Sequence, residues 1–311
     1  MEIVDVKDLV KCYGNTMALD HFNMKIEQGE VFGLLGPNGS GKSTAINCIL
    51  QLLTYDKGSI RLFGEPMTPT SYDLKRRIGI VPQNVAVFEE LSVRENVDYF
   101  CGLYVSDSKL RKEYVDDAIE FVGLKDYAKA RPRKLSGGLL RRLNIACGIA
   151  HKPELAFFDE PTVAVDPQSR ASILQGILDM NKAGTTVVYT SHYMEEVEEI
   201  CSRIMIMDKG RTLAIGTNTQ LKVMTGIGET IEVDVLELPE AARAKVAGLD
   251  SVQRAEYDGK TLHVACESGQ HNVSDVLECL KLFDAKPGRI WAEPPTLNDV
   301  FLEITGRELR D

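Results

Sequence analysis

The chain has 311 residues, 44% of them hydrophobic and 26% charged, enough for one large domain or two ordinary ones with a normal buried core. Those values exclude a disordered chain, and no run of about 18 uncharged apolar residues offers a membrane-spanning helix. The net charge of −10 is uneven: residues 228–311 hold 17 acidic and 9 basic side chains, which argues against nucleic acid as a ligand of that part.

The opening, MEIVDVKDLVKCYG, is charged from its second residue and predicts no cleaved leader. Seven cysteines, at 12, 48, 101, 147, 201, 266 and 279, are scattered without a CxxC pair. That pattern reads as reduced thiols, with neither a disulfide framework nor zinc-ligand spacing.

Up to about residue 226, short β-rich runs alternate with helical patterns, which predicts an α/β domain built on a parallel sheet with crossover helices. The strand candidates are 31–35 (VFGLL), 78–81 (IGIV), 155–158 (LAFF), 186–190 (TVVYT) and 204–207 (IMIM). Helical periodicity dominates between Ile80 and Leu155, where a capping box from Ser92 to Glu95 precedes VDYF. Residues 84–150 or so therefore read as a helical insertion. IMIMDKGRTLAIG gives two short strands around a Lys-Gly turn, and TNTQLKVMTG a helix closed by Gly226.

The remainder, 227–311, changes character. TIEVDVL is a strand, PEAARAKVAGL a helix, SVQRAEYDG and KTLHVACE a hairpin, NVSDVLECLKLF a helix and GRIWAEP a strand. The order βαββαβ predicts a small, acidic, ferredoxin-like α+β domain. A last helix, TLNDVFLEITGREL, starts with Thr296 as its cap, and the boundary between the domains is expected near 226–229.

GPNGSGKST, residues 36–44, follows VFGLL and precedes a run whose Ile46, Ile49, Leu50 and Leu53 have helical spacing. Strand, glycine loop and helix are the context of a phosphate-binding loop, which makes the domain a P-loop NTPase. Asn38, Gly39, Ser40, Gly41, Lys42, Ser43 and Thr44 would line the phosphates, with backbone N–H groups from Gly39 to Thr44 converging on oxygen. Lys42 would neutralise β/γ charge and the Ser43 hydroxyl would ligate Mg²⁺.

LAFFDEP, residues 155–161, is an apolar strand ending in two carboxylates, at the sheet edge where ligands bind. Because side chains alternate, Asp159 would hold Mg²⁺ or its water and Glu160 would act as general base. The alternative is an ordinary strand exit with solvated acids. KLSGGLLRRLNIACGIA, residues 134–150, sets two glycines at the head of an otherwise helical run. If Ser136 caps that helix, the N–H groups of Gly137 and Gly138 form an anion site.

With these residues in hand, residues 1–226 resemble the ATP-binding subunits of ATP-binding cassette (ABC) transporters. Six motifs stand in the family's order: Tyr13, the loop 36–44, Gln83 in IVPQ, Leu135-Ser136-Gly137-Gly138, FFDEP at 157–161, and Ser191-His192. The resemblance implies a cassette fold and ATP hydrolysis with Mg²⁺. It also implies a head-to-tail homodimer, or a pseudo-dimer with a similar cassette, in which each LSGG turn binds the γ-phosphate held by the other subunit. By the same resemblance Tyr13 would stack on adenine, Gln83 would touch Mg²⁺ and the attacking water, and His192 would contact the γ-phosphate. Asp166 would lie at the dimer contact.

Two positions depart from the family pattern. Leu139 stands where Gln is usual, and Ala164 stands in PTVAVDP where Gly-Leu commonly precedes the Asp. The tail LNDVFLEITGREL resembles those of drug- and antibiotic-efflux cassette subunits, which implies an exporter. A cytoplasmic chain on the inner face of the membrane would then dock on a separate integral permease, near Gln83, with Ser71–Arg77 and Phe88–Val93 as groove edges. The competing reading, a soluble cassette ATPase acting on ribosomes or nucleic acid, is disfavoured by a single cassette without sustained heptads or a basic tail. A P-loop kinase leaves LSGG unexplained.

Overall fold

The computed structural model describes residues 1–163, 165–224, 227–267 and 272–305. The chain divides into two compact units, one from Met1 to Gly216 and one from Thr217 onward.

The first unit opens with two long strands, β1 (Glu2–Tyr13) and β2 (Thr16–Glu27), joined by a tight turn at Gly14. Then come β3 (Val31–Leu35), α1 (Lys42–Ile49), β4 (Lys57–Leu62), β5 (Glu65–Pro66), α2 (Tyr72–Lys75) and β6 (Ile78–Val81). Three helices are next: α3 (Val93–Gly102), α4 (Ser108–Phe121) and α5 (Gly137–Ile149). The unit closes with β7 (Leu155–Asp159), α6 (Pro167–Lys182), β8 (Thr186–Ser191), α7 (Met194–Ile200), β9 (Arg203–Asp208) and β10 (Arg211–Gly216).

These strands form two sheets. Six are ordered β10-β9-β3-β8-β7-β6, parallel except for the edge strand β10. Every residue of β3, β7 and β8 is buried, as befits a parallel sheet covered on both faces, and it explains why these strands read as unbroken apolar runs. The second sheet, β2-β1-β4-β5, is antiparallel and was not expected from the sequence. It packs Val4, Val6, Leu9, Phe22, Met24 and Ile26 into one core with Phe32, Phe157 and the Ile46–Ile49 face of α1.

All three insertion helices lie between β6 and β7, which are hydrogen-bonded neighbours. The Ser92–Glu95 capping box starts α3 as expected, with Ser92 Oγ accepting from Glu95 N–H and the Glu95 carboxylate accepting from Ser92 N–H. Helix α5 is pressed onto β6 backbone to backbone: a Cβ on Gly148 would lie 2.4 Å from Ile80 O, and one on Gly79 would lie 2.7 Å from Gly148 O. Only glycine permits that approach.

The second unit contains α8 (Asn218–Met224), β11 (Ile227–Val235), α9 (Glu240–Ala247), β12 (Val252–Tyr257), β13 (Thr261–Glu267), α10 (Asn272–Leu282), β14 (Pro287–Glu293) and α11 (Leu297–Thr305). Its β11–β14 core has the βαββαβ order read from the sequence, with an antiparallel sheet ordered β12-β13-β11-β14. Ile231, Val233, Val246, Leu262, Val264, Val276 and Leu280 fill its interior. Thr296 caps α11 reciprocally with Asp299: its Oγ1 accepts from Asp299 N–H, and Asp299 Oδ2 accepts from Thr296 N–H.

The division at Gly216 precedes the expected boundary of 226–229, because α8 packs on α11 and β11 of the second unit. Gly226, expected to close that helix, and Ala164 lie outside the described residues.

Candidate active site

The glycine loop leaves the end of β3 and enters α1 at Lys42. Gly36 sits where nothing larger fits, since a Cβ there would come within 2.3 Å of Met207 O and 2.7 Å of Ser40 Oγ. Asn38 and Gly39 are exposed, Ser43 and Thr44 half-buried. Ser40 and Lys42 are buried, and Ser40 Oγ has no partner among the described residues. Gly41 caps α1 in a left-handed conformation. The Lys42 side chain folds back over the loop, its Nζ donating to Gly36 O at 2.7 Å and Pro37 O at 3.2 Å. Burial pushes the Lys42 ammonium below the usual lysine range, opposed by the carboxylates of Glu160 and Asp159.

At the far end of β7 the chain turns sharply. Glu160 is in the left-handed region at φ +47°, a conformation that costs a non-glycine residue about 1–2 kcal/mol. Its N–H is held by Thr190 O at 3.2 Å and Thr190 Oγ1 at 3.0 Å. The same Thr190 hydroxyl donates to Asp159 Oδ1 at 2.7 Å, so one side chain of β8 fixes the Asp159 carboxylate and the Glu160 peptide together. The Glu160 carboxylate is buried and three side chains converge on it. Lys42 Nζ lies 3.3 Å from Oε1, Gln83 Nε2 donates to Oε2 at 3.0 Å, and His192 Nδ1 lies 3.4 Å from Oε2.

Gln83 is positioned by residues that the sequence reading passed over. Arg141 and Asn144, on α5, clasp its segment from behind. Arg141 donates to Gln83 O at 2.6 Å and Pro82 O at 3.3 Å, while Asn144 donates to Pro82 O at 3.1 Å and accepts from Ala86 N–H at 3.0 Å. The signal was available only as two polar residues on the buried face of a helix.

Ser136 does cap α5, its Oγ accepting from Leu139 N–H at 3.3 Å. Ser136 and Gly137 are exposed while Gly138 is buried. A Cβ on Gly138 would lie 3.1 Å from Asp166 Oδ2, so the LSGG turn and Asp166 are neighbours. Asp166 itself is exposed and caps α6, accepting from Ser169 N–H at 2.9 Å; that bond holds its carboxyl below the usual range. Arg142 ties the two helix starts together by donating to Ser169 Oγ at 3.2 Å. No hydrogen bond or ion pair among the described residues joins the 136–138 turn to the 36–44 loop. Tyr13 also stands apart, 48% exposed at the end of β1 with Lys11 Nζ 5.2 Å from its ring centre.

A Lys42–Glu160–Gln83–His192 cluster at the mouth of a glycine loop is equipped to hold a phosphate chain and to take a proton beside it. The family model for ABC transporters matches residues 19–163. The linearmycin resistance ATP-binding protein LnrL of Bacillus subtilis is 37% identical, over 99% of this chain and 100% of its own length. The chain belongs to the ABC transporter family. Nod factor export ATP-binding protein I of Cupriavidus metallidurans is 35% identical, over 99% of each chain. Among solved structures, the dimeric cassette MJ0796, in a post-hydrolysis state bound to ADP and Pi, superposes with a TM-score of 0.64 at 27% identity. It covers 69% of this chain and 98% of its own. This ABC protein is thus an ATP-binding cassette and an ATPase.

Proposed function

We propose that this ABC ATPase powers an exporter, working as a head-to-tail dimer on a separate integral membrane permease at the inner face of the membrane. The observation that carries the reading is the convergence of Lys42, Gln83 and His192 on the buried Glu160. No helix among the described residues is long and apolar enough to cross a membrane, and in this reading the pathway belongs to the permease. Export is supported by the likeness, along nearly the whole chain, to proteins named for linearmycin resistance and Nod factor export.

In this mechanism Glu160 accepts a proton from water as the water oxygen bonds to the γ-phosphorus and the bond to the β-phosphate oxygen breaks. Lys42 gives up its carboxylate partner for the phosphate. Gln83 and His192 hold the water and the γ-phosphate on the open side of the cluster. Tyr13, with an exposed ring, stacks on adenine.

Ser43, Asp159 and Gln83 supply oxygen donors suited to Mg²⁺. Among the described residues no group of three or more His, Cys, Asp or Glu could hold an ion. A metal held by Ser43, Asp159 and Gln83 would take its remaining ligands from phosphate and water. When bound, Mg²⁺ neutralises charge on the β- and γ-phosphates.

The Ser136–Gly138 turn, exposed at Ser136 and Gly137 and unbonded to its own loop, takes the γ-phosphate held by a second chain, and Asp166 beside Gly138 falls at that contact. The permease docks against the segment after Gln83. There Phe88 meets Tyr99 edge-on at 4.9 Å and stacks on Phe100 at 5.9 Å, leaving an aromatic patch with Phe88 41% and Tyr99 47% exposed. Tyr72, 66% exposed within Ser71–Arg77, provides the other edge.

Isolation of the native protein from gently solubilised cells tests the reading. A polytopic membrane protein in fixed ratio is expected. Ribosomal subunits or nucleic acid, with nothing integral to the membrane, would overturn it.

A further inference from the structure

Behind the Glu160–His192 pair lies a second buried carboxylate. Glu196, on α7, is only 2% exposed. Its Oε2 accepts three hydroxyl protons, from Thr162 Oγ1 at 2.7 Å, Tyr189 OH at 2.7 Å and Ser191 Oγ at 3.1 Å. Its Oε1 lies 3.2 Å from Arg170 Nε. Burial and the neighbouring Glu196 charge hold the Tyr189 phenol well above its ordinary range, so it stays a donor.

The partners are not scattered. Thr162 is two residues past Glu160, and Ser191 immediately precedes His192. Ser191 Oγ also accepts from Tyr193 N–H at 2.9 Å, so Glu196 fixes the backbone on both sides of His192. The Arg170 guanidinium covers the Tyr193 ring at 4.8 Å, and its helix α6 begins at the Asp166 cap. Glu160 is strained at φ +47°, and that strain needs holding from both directions. Thr190 secures its own peptide; Glu196, through Thr162, secures the backbone just beyond it. A buried charge is costly against an apolar side chain of equal volume, so packing alone does not account for it.

We propose that Glu196 is a positioning residue for ATP hydrolysis, pinning the Glu160 and His192 segments in one fixed register. The proposal rests on the roles given above to Glu160 and His192. Its energetic logic is that a misplacement of about 1 Å costs on the order of a hundredfold in rate, whereas ATP binding at the glycine loop is untouched.

Glu196→Gln in the full chain is the test, because it keeps the shape while removing the charge and one acceptor oxygen. The expected result is a kcat lowered about tenfold or more, with the ATP dissociation constant within about twofold of the parent. Saturating ATP and Mg²⁺ should then accumulate a dimer on gel filtration, as for Glu160→Gln. Parental turnover overturns the proposal. So does a parallel loss of turnover and ATP affinity, which marks a general structural defect. If Glu196→Gln does not fold, Ser191→Ala and Thr162→Val each delete one hydroxyl and are judged by the same split between kcat and affinity; unchanged turnover in both overturns it. Parental turnover in Glu160→Gln would instead bring down the site reading, and this proposal with it. Normal turnover in Glu196→Gln beside an inactive Glu160→Gln sinks Glu196 alone.

Discussion

Lys42 and Glu160 form a buried ion pair across the mouth of the glycine loop, with Nζ 3.3 Å from Oε1. Without nucleotide each neutralises the other; under the function proposed above, the γ-phosphate would have to take Lys42 away from Glu160 before the carboxylate could act as a base. On that proposal the pair would couple nucleotide arrival to activation of the base.

Glu160→Gln removes the base and leaves Lys42 with carbonyl acceptors only. Turnover should fall by at least about a hundredfold. ATP binding should persist, since the competitor for the lysine has lost its charge. The nucleotide-free variant should melt below the parent, and ATP should restore the difference. Gel filtration with saturating ATP and Mg²⁺ should show a dimer; a monomer would count against head-to-tail closure.

Ser136→Arg places a long cation at an exposed helix start that makes no hydrogen bond to its own loop. It should abolish dimer closure and steady-state hydrolysis while leaving the nucleotide affinity of the monomer within about twofold of the parent. Loss of monomer binding as well, read by nucleotide titration, would mean that this turn serves its own chain's site.

Arg141→Met with Asn144→Leu deletes the clasp on the Gln83 segment and keeps the volume of the α5 face. The prediction is a kcat reduced about tenfold with ATP affinity held, because Gln83 loses its support while Lys42 keeps its bonds to Gly36 O and Pro37 O. Equal kinetics in parent and variant would show that the segment is held elsewhere.

His151 supplies a pH test of the insertion. It is buried, its ring stacks on Tyr104 at 4.1 Å and its Nε2 meets Ile78 O at 3.0 Å. Burial pushes its pKa below the ordinary 6.5, opposed by the Ile78 bond. The unfolded chain therefore binds a proton first as pH falls below 6.5, and stability present above that value is lost toward the lower folded-state pKa. His151→Phe retains a ring against Tyr104 and cannot titrate. Thermal melts at neutral and mildly acidic pH should show a smaller acid-induced drop in the variant than in the parent.

Much of this site was legible because its chemistry is local. The glycine loop, the DEP carboxylates and the Ser136 cap each occupy a few consecutive residues whose types are dictated by phosphate, metal or helix geometry. The antiparallel sheet was not legible. In β1 and β2 the pairing register shifts between Val6 and Leu9, and Asp8 and His21 adopt positive φ, so the alternation of buried and exposed positions slips. A period-two pattern with a slip reads as neither strand nor helix. Arg141 and Asn144 escaped for another reason: their partners are backbone carbonyls and an amide about sixty positions away, which leave no mark on composition. The unit boundary moved because α8 is a helix in either assignment, and only its packing on α11 decides where it belongs.

Helix α5 is locked to β6 near one end, and at the other it presents an exposed Ser136 beside the start of α6. Gly148 is locked onto β6, Ser136 protrudes into solvent, and Arg141 and Asn144 grip the Gln83 segment between them. Mechanically that is a rigid lever pivoting at Gly148, with a load attached partway along. At a rise of about 1.5 Å per residue the tip stands roughly 18 Å from the pin and Arg141 roughly 10 Å. A sideways push of about 1 Å at Ser136 thus reaches Gln83 as roughly 0.6 Å, comparable to the tolerance of about 0.5 Å within which a catalytic constellation must be held. If a second chain presses on the exposed tip, as proposed above, the displacement would be carried to the Gln83 segment by one rigid rod.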